Sequence, residues 1–96
     1  MNFNQRVWQL LAGIPRGKVT TYKIVARKLN TRAYRAVGNA CKRNPHAPDV
    51  PCHRVVMSSG RLGGYSGTRS KALLLKSEGI KITNGRIDLN KYLYKI

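Results

Sequence analysis

The sequence predicts a small α/β domain of the winged-helix kind, and three observations carry that prediction. Two short amphipathic segments, 22–29 and 32–42, are separated only by Asn30-Thr31, the pattern of a helix-turn-helix. A further segment with helical apolar spacing, 3–11, precedes them. Beyond residue 50, short extended pieces are punctuated by Gly and Asn and end in a hairpin signal, Asn84-Gly85.

Each element follows from local chemistry. Phe3, Val7, Trp8, Leu10 and Leu11 give the first helix one apolar face, and Gly13 closes it. Residues 14–19 read as a turn leading into a short extended piece. Thr21 is the expected N-cap of a helix over 22–29, with Ile24, Val25 and Leu29 on its buried side. In 32–42, Ala33, Ala36, Val37 and Ala40 recur at intervals of three and four. Residues 44–49 hold two prolines and form a loop. A strand is expected over 50–57, a turn or hairpin over 58–64 and a loop over 65–67. The last helix is expected over 70–77, carrying Ala72, Leu73, Leu74 and Leu75, with Gly79 as its stop. Residues 80–82 and 86–89 flank Asn84-Gly85 as a terminal hairpin.

Ninety-six residues fit one domain, since a chain this short buries only about 60–65% of its unfolded surface. The expectation is a single domain over 1–96, with no additional N-terminal domain, holding one core and one site at its edge. The longest apolar runs, such as 72–75, cannot span a bilayer, and no signal peptide pattern opens the chain. A soluble, intracellular monomer without membrane partners is expected. It would be cytoplasmic, nucleoid-associated in a prokaryote or nuclear in a eukaryote. Cys41 and Cys52 make a poor disulfide framework, and with His46 and His53 they match no zinc spacing. No metal and no cofactor are expected.

Charge narrows the partner. Nineteen Lys and Arg against three acids give a net charge of +16. Such a chain repels itself, and a polyanion is the usual compensation. The basic residues are spread along the chain, so the folded surface carries them rather than a tail. Arg32, Arg35, Lys42 and Arg43 lie on or beside the second helix of the helix-turn-helix, which marks DNA or RNA as the partner. Against this background Asp49, Glu78 and Asp88, the only acids, each invite a specific partner.

The chemistry concentrates in Val50-Pro51-Cys52-His53-Arg54-Val55-Val56. A thiol near its usual pKa of about 8.5 is only a few per cent thiolate at neutral pH. An imidazole can take its proton, directly or through a water, and a carboxylate behind the imidazole fixes tautomer and charge. Neighbours on a strand point to opposite faces, so Cys52 and His53 need a bent backbone to cooperate, and Pro51 is consistent with one. Glu78, at the end of the last helix, is the candidate carboxylate. On these residues alone, the default reading is that Cys52 is a small core residue and His53 an exposed one.

Pro51-Cys52-His53-Arg54-Val55 resembles the active-site motif of the O6-alkylguanine-DNA alkyltransferases, also called methylated-DNA–protein-cysteine methyltransferases. Thr21-Tyr22, Arg35-Ala36-Val37-Gly38-Asn39-Ala40, Asn44-Pro45, Gly63-Gly64-Tyr65-Ser66-Gly67 and Leu74-Leu75 through Glu78-Gly79 are similar to that family's other blocks, in the same order. The resemblance spans about residues 3–80. It implies a single-turnover DNA repair protein that flips O6-alkylguanine out of double-stranded DNA and moves the alkyl group irreversibly onto Cys52. It further implies that His53 is the water-linked base, Glu78 its orienting carboxylate and Asn44 a brace for the active-site turn. Tyr22 would donate to guanine N3. Arg35 would fill the vacated stack from a recognition helix in the minor groove, with Ala36, Arg32, Lys42 and Arg43 along the same face. Val55, Tyr65, Ser66 and Cys41 would line the base pocket.

The sequence departs from that family at Cys41, where a bulky apolar residue is frequent, at Ala47, where a proline is frequent, and at Thr68, where a second glycine follows Gly67. Its short length resembles the alkyltransferase-like proteins, which bind alkylguanine but have replaced the cysteine. A non-catalytic sensor that binds the lesion and recruits other repair factors is therefore the alternative expectation. Cys52 separates the two.

Overall fold

A computed structural model of the chain describes residues 1–63 and 70–96. Helix α1 (Phe3–Leu11) opens on a capping box: the Asn2 side chain accepts from Gln5 N at 2.8 Å and Asn2 N donates to Gln5 Oε1 at 3.0 Å. Its Val7 and Leu11 are fully buried, and Trp8 Nε1 donates to the Ala40 carbonyl at 2.8 Å. Helix α2 (Tyr22–Lys28) is capped by Thr21, which accepts from Ile24 N at 3.1 Å, as the sequence predicts.

Helix α3 (Tyr34–Lys42) begins two residues later than expected. Asn30 takes a left-handed conformation at φ 58°, Thr31 N donates to Ala26 O, and the Thr31 hydroxyl accepts from Ala33 N at 3.1 Å. That side-chain turn uses up Ala33 N–H, so Arg32 and Ala33 belong to the turn and not to the helix. Helix α3 packs on both α1 and α2, completing the helix-turn-helix.

Strand β1 (Thr20–Thr21) pairs in parallel with β2 (Val55–Val56), Thr20 opposite Val55 and Thr21 opposite Val56. The strand expected over 50–57 survives only in these two residues. Cys52 N donates to Val50 O and Arg54 N to Pro51 O, both at 2.9 Å, which winds Cys52–Arg54 into a 3-10 turn. Pro51 at the head of the turn has no N–H to give a ladder, so the chain bends where the site needs it to bend.

Helix α4 (Lys71–Ser77) leads to an antiparallel hairpin of β3 (Ile82–Thr83) and β4 (Arg86–Ile87). Asn84 and Gly85 both have positive φ, 53° and 73°, the requirement of a tight hairpin turn. The expected strand over 86–89 stops at Ile87, because Asp88 accepts from Asn90 N at 3.0 Å and opens a short helix, α5 (Leu89–Tyr92). Arg61, in the turn after β2, bridges Arg86 on the outer edge of β4. A Cβ on Gly60 would lie 2.6 Å from the Ile87 carbonyl oxygen at a φ of 89°, so only glycine permits this approach.

Two cores result. One gathers Val7, Leu11, Val25, Val37, Ala40, Cys41, Cys52 and Val55 under the first three helices. The other joins Val19, Val56, Leu75, Ile80, Ile87 and Tyr92 beneath the hairpin. The architecture is the expected winged-helix-like α/β domain, with one parallel pair and one hairpin among the described residues. No helix among them is long and apolar enough to cross a membrane.

Candidate active site

The 3-10 turn buries Cys52 and His53, each 1% exposed, and turns the imidazole toward the end of α4. There Glu78, the C-cap residue, meets it: His53 Nε2 lies 2.8 Å from Glu78 Oε2. The carboxylate has a second partner that the sequence reading missed. Arg54 Nε donates to Glu78 Oε1 and Arg54 Nη2 to Oε2, each at 2.8 Å, while Nη1 donates to the Ile14 carbonyl at 2.7 Å. Burial alone would raise the Glu78 carboxyl, but the hydrogen bonds and charges of Arg54 and His53 outweigh it and hold the group down at about 2. Burial lowers the His53 imidazole from its ordinary value, with Glu78 pulling it back up, so the ring rests neutral at neutral pH.

Asn44 is buried and clamps the approach to the turn. Its Nδ2 donates to Val50 O at 2.7 Å and its Oδ1 accepts from His46 N at 3.0 Å. Burial pushes the Cys52 thiol up, opposed by a hydrogen bond from the Asn44 side chain and by the positive charge of Lys71. Lys71 is the larger surprise. It is 6% exposed, donates to Val55 O, and lies 3.3 Å from the Tyr22 hydroxyl. Burial brings its ammonium down to about 8, with the two cysteines acting the other way. A helical count would have found it, since Lys71, Leu74, Leu75 and Glu78 fall on one face at spacings of three, four and seven. Cys41 is buried in the same core, its thiol raised to about 12 chiefly by burial.

The β1–β2 register brings Tyr22 to this place. Thr21 is both the end of β1 and the cap of α2, so the next residue, Tyr22, stands level with Met57 beyond β2. Burial raises the Tyr22 phenol well above its usual range, with the neighbouring cysteines adding to the effect. An open hollow lined by Tyr22, Tyr34, Arg35, Gly38, Lys42, Met57 and Gly63 leads to it. A Cβ on Gly63 would meet the Tyr22 hydroxyl at 3.0 Å with φ at 74°, so a glycine keeps the phenol's approach clear. Arg32, Arg35, Lys42 and Arg43 are exposed, Ala36 is half-buried and Val55 lies fully in the core beside Cys52. Tyr65 and Ser66 lie outside the described residues. Tyr34 and Met57, 54% and 45% exposed, flank the hollow and were not singled out from the sequence.

Comparison with known proteins adds an independent line. The family described as 6-O-methylguanine DNA methyltransferase, DNA binding domain, matches residues 2–80. A methylated-DNA–protein-cysteine methyltransferase of Methanosarcina barkeri is 51% identical over 79 residues, 80% of this chain and 50% of that protein. A DNA base-flipping protein of Escherichia coli K12 is 43% identical over 95 residues, 95% of this chain and 73% of that protein. Among solved structures, S. pombe Atl1 in complex with damaged DNA containing O6-carboxymethylguanine superposes with a TM-score of 0.86 at 30% identity, covering 98% of this chain and 95% of that one. The chain spans half or less of the length of several curated methyltransferases that it matches.

Proposed function

This chain belongs to the O6-methylguanine DNA methyltransferase family, and on that premise we propose that it repairs DNA by taking the alkyl group of O6-alkylguanine onto Cys52. The observation that carries the proposal is the buried line from the Cys52–Arg54 turn through His53 Nε2 to Glu78 at 2.8 Å. An alkyl group on O6 within a duplex is out of a side chain's reach, so the nucleotide rotates out at a cost of a few kcal/mol. Arg35, exposed near the start of α3, fills the vacated stack from the minor groove. The exposed cations Arg32, Lys42 and Arg43 hold the phosphates on either side.

In the transfer the Cys52 thiol loses its proton to the neutral imidazole, directly or through a water, and the new imidazolium is held by Glu78. The sulfur forms a bond to the alkyl carbon as the bond from that carbon to O6 breaks. The bonding electrons pass to the purine, where Tyr22 donates a hydrogen bond to N3 and stabilises the developing charge. The purine leaves as neutral guanine on taking up one proton, which balances the one the thiol gave to the imidazole. Lys71 supports both ends of this charge flow: its ammonium lies against the Tyr22 hydroxyl and its field favours the Cys52 thiolate. Arg54 keeps Glu78 ionised throughout. The product is a thioether that no group in the site can reverse, so each molecule acts once. Intact mass after incubation with an O6-methylguanine duplex tests this: one added methyl group on Cys52 is expected.

A second reading is a sensor that binds the lesion without transfer and recruits other repair factors. Its support is the near-complete mutual coverage with Atl1, together with the raised Cys52 thiol. Binding of the damaged duplex with no mass gain would favour it.

A further inference from the structure

The C-terminal hairpin lies beyond the family match, which ends at residue 80. Its outer edge carries an arrangement that folding alone does not reward. Arg61 and Arg86 form an antiparallel bridge, and residues directly opposed in such a pair project to the same face. Both are exposed, while Ile87, next along β4, points into the second core at 4% exposure. Like charges directly opposite one another are destabilising. Neither arginine makes an ion pair among the described residues.

None of the three acids forms an ion pair with either arginine among the described residues: Glu78 is committed to His53 and Arg54, the Asp88 carboxylate caps α5 at Asn90 N, and Asp49 makes no ion pair. On the other side of Arg86, a hollow between the hairpin and α5 is lined by Lys81, Thr83, Arg86 and Lys91, with Asp88 its one acid. The cations thus run from the 57–63 loop across the hairpin and onto α5, more than one small anion would engage and suited to successive phosphates of a polyanion. Arg61 also sits on the loop whose two ends, Met57 and Gly63, line the mouth of the candidate active site. Met57 N donates to Arg61 O at 2.8 Å, and Ile87 N to Gly60 O at 2.9 Å, so the hairpin is stitched to that loop.

We propose that Arg61 and Arg86, backed by Lys81 and Lys91, form a second contact for the phosphate backbone of duplex DNA, added to the helix-turn-helix by the C-terminal hairpin. The proposal rests on the DNA-binding reading above. The test is fluorescence anisotropy of the full chain on an undamaged duplex across a salt series, with Arg61→Ser/Arg86→Ser and with Arg86→Gln alone. If two phosphates are lost, the slope of log K against log salt becomes shallower by about 1.8 for the double variant and about 0.9 for the single one. With binding equal at 1 M salt, that corresponds to about 30-fold weaker binding of the double variant near 0.15 M. Thermal melting without DNA should hold or rise for the double variant, because the repulsion is gone.

Wild-type binding with an unchanged slope in both variants would overturn this proposal alone. A larger loss on single-stranded RNA than on duplex DNA would overturn it in favour of RNA. No measurable affinity of the wild type for duplex DNA would overturn the DNA-binding reading and this proposal with it.

Discussion

Replacing Glu78 by glutamine tests the buried relay through stability and rate together. The carboxylate accepts three hydrogen bonds at 2.8 Å, one from His53 and two from Arg54. Glutamine keeps one acceptor oxygen and turns an NH2 group toward a donor. Arg54, with its side chain 15% exposed, then loses its charge partner. Removing one member of a buried pair costs about 3–5 kcal/mol, and the retained oxygen brings the expected loss to about 2–3 kcal/mol at neutral pH. The pH dependence adds a signature. The Glu78 carboxyl sits at about 2 in the fold against an ordinary 4.5, so the unfolded chain binds its proton first as pH falls. Its contribution, no more than about 3.5 kcal/mol, is complete above the ordinary value and gone below the folded one. His53 is also lowered, so stability drops as pH falls through its ordinary 6.5, and losing Glu78 steepens that limb.

Urea unfolding followed by circular dichroism at about pH 7, 5.5 and 3 should therefore show Glu78→Gln losing more stability than the wild type between 6.5 and 4.5 and losing it more slowly below 4.5. Single-turnover transfer from a saturating O6-methylguanine duplex should slow by about 10²–10⁴. Parallel stability curves for the two proteins, or an unchanged rate per bound complex, would refute the relay.

Three further outcomes follow from the site. Cys52→Ser should abolish alkyl transfer and leave binding of the damaged duplex nearly unchanged, and a residual methyl group in the intact mass would move the acceptor elsewhere, Cys41 first. Lys71→Met, close in shape, should lower the transfer rate and remove a decline in wild-type rate as pH rises through about 8, where the buried ammonium is lost; a decline that persists in the variant excludes Lys71 as its source. Arg35→Ala should lose rate strongly on duplex, less on single strands and hardly at all on free O6-alkylguanine base, which needs no flipping. Equal losses on all three would make Arg35 a pocket support and end its assignment as the finger.

What the sequence could announce was what depends on neighbours along the chain. Thr21 caps its helix and Asn84-Gly85 turns its hairpin because each acts on backbone within three residues. Where a local rule had two outcomes, it misled. Val50 to Met57 has strand composition, yet Pro51 and two short hydrogen bonds turn its middle into a 3-10 turn. Asp88 could equally end a strand or cap a helix, and it caps α5. The site residues divide in the same way. Cys52 and His53 stand out by adjacency, and Glu78 by the scarcity of acids. Lys71 and Arg54 blend into a chain with nineteen Lys and Arg, and only tertiary packing separates them from the solvated rest.

The indole of Trp8, held to the Ala40 carbonyl, has a spectroscopic consequence. It is the chain's one tryptophan, and it sits on α1 with its N–H fixed to the helix that carries Arg35. Ala40 is followed by Cys41, in the same core as Cys52. Any shift of α3 against α1 lengthens or breaks a 2.8 Å hydrogen bond at the fluorophore itself. Emission from an unlabelled protein therefore reads out motion of that helix directly, whether DNA presses on its exposed side or a new substituent on sulfur presses from within.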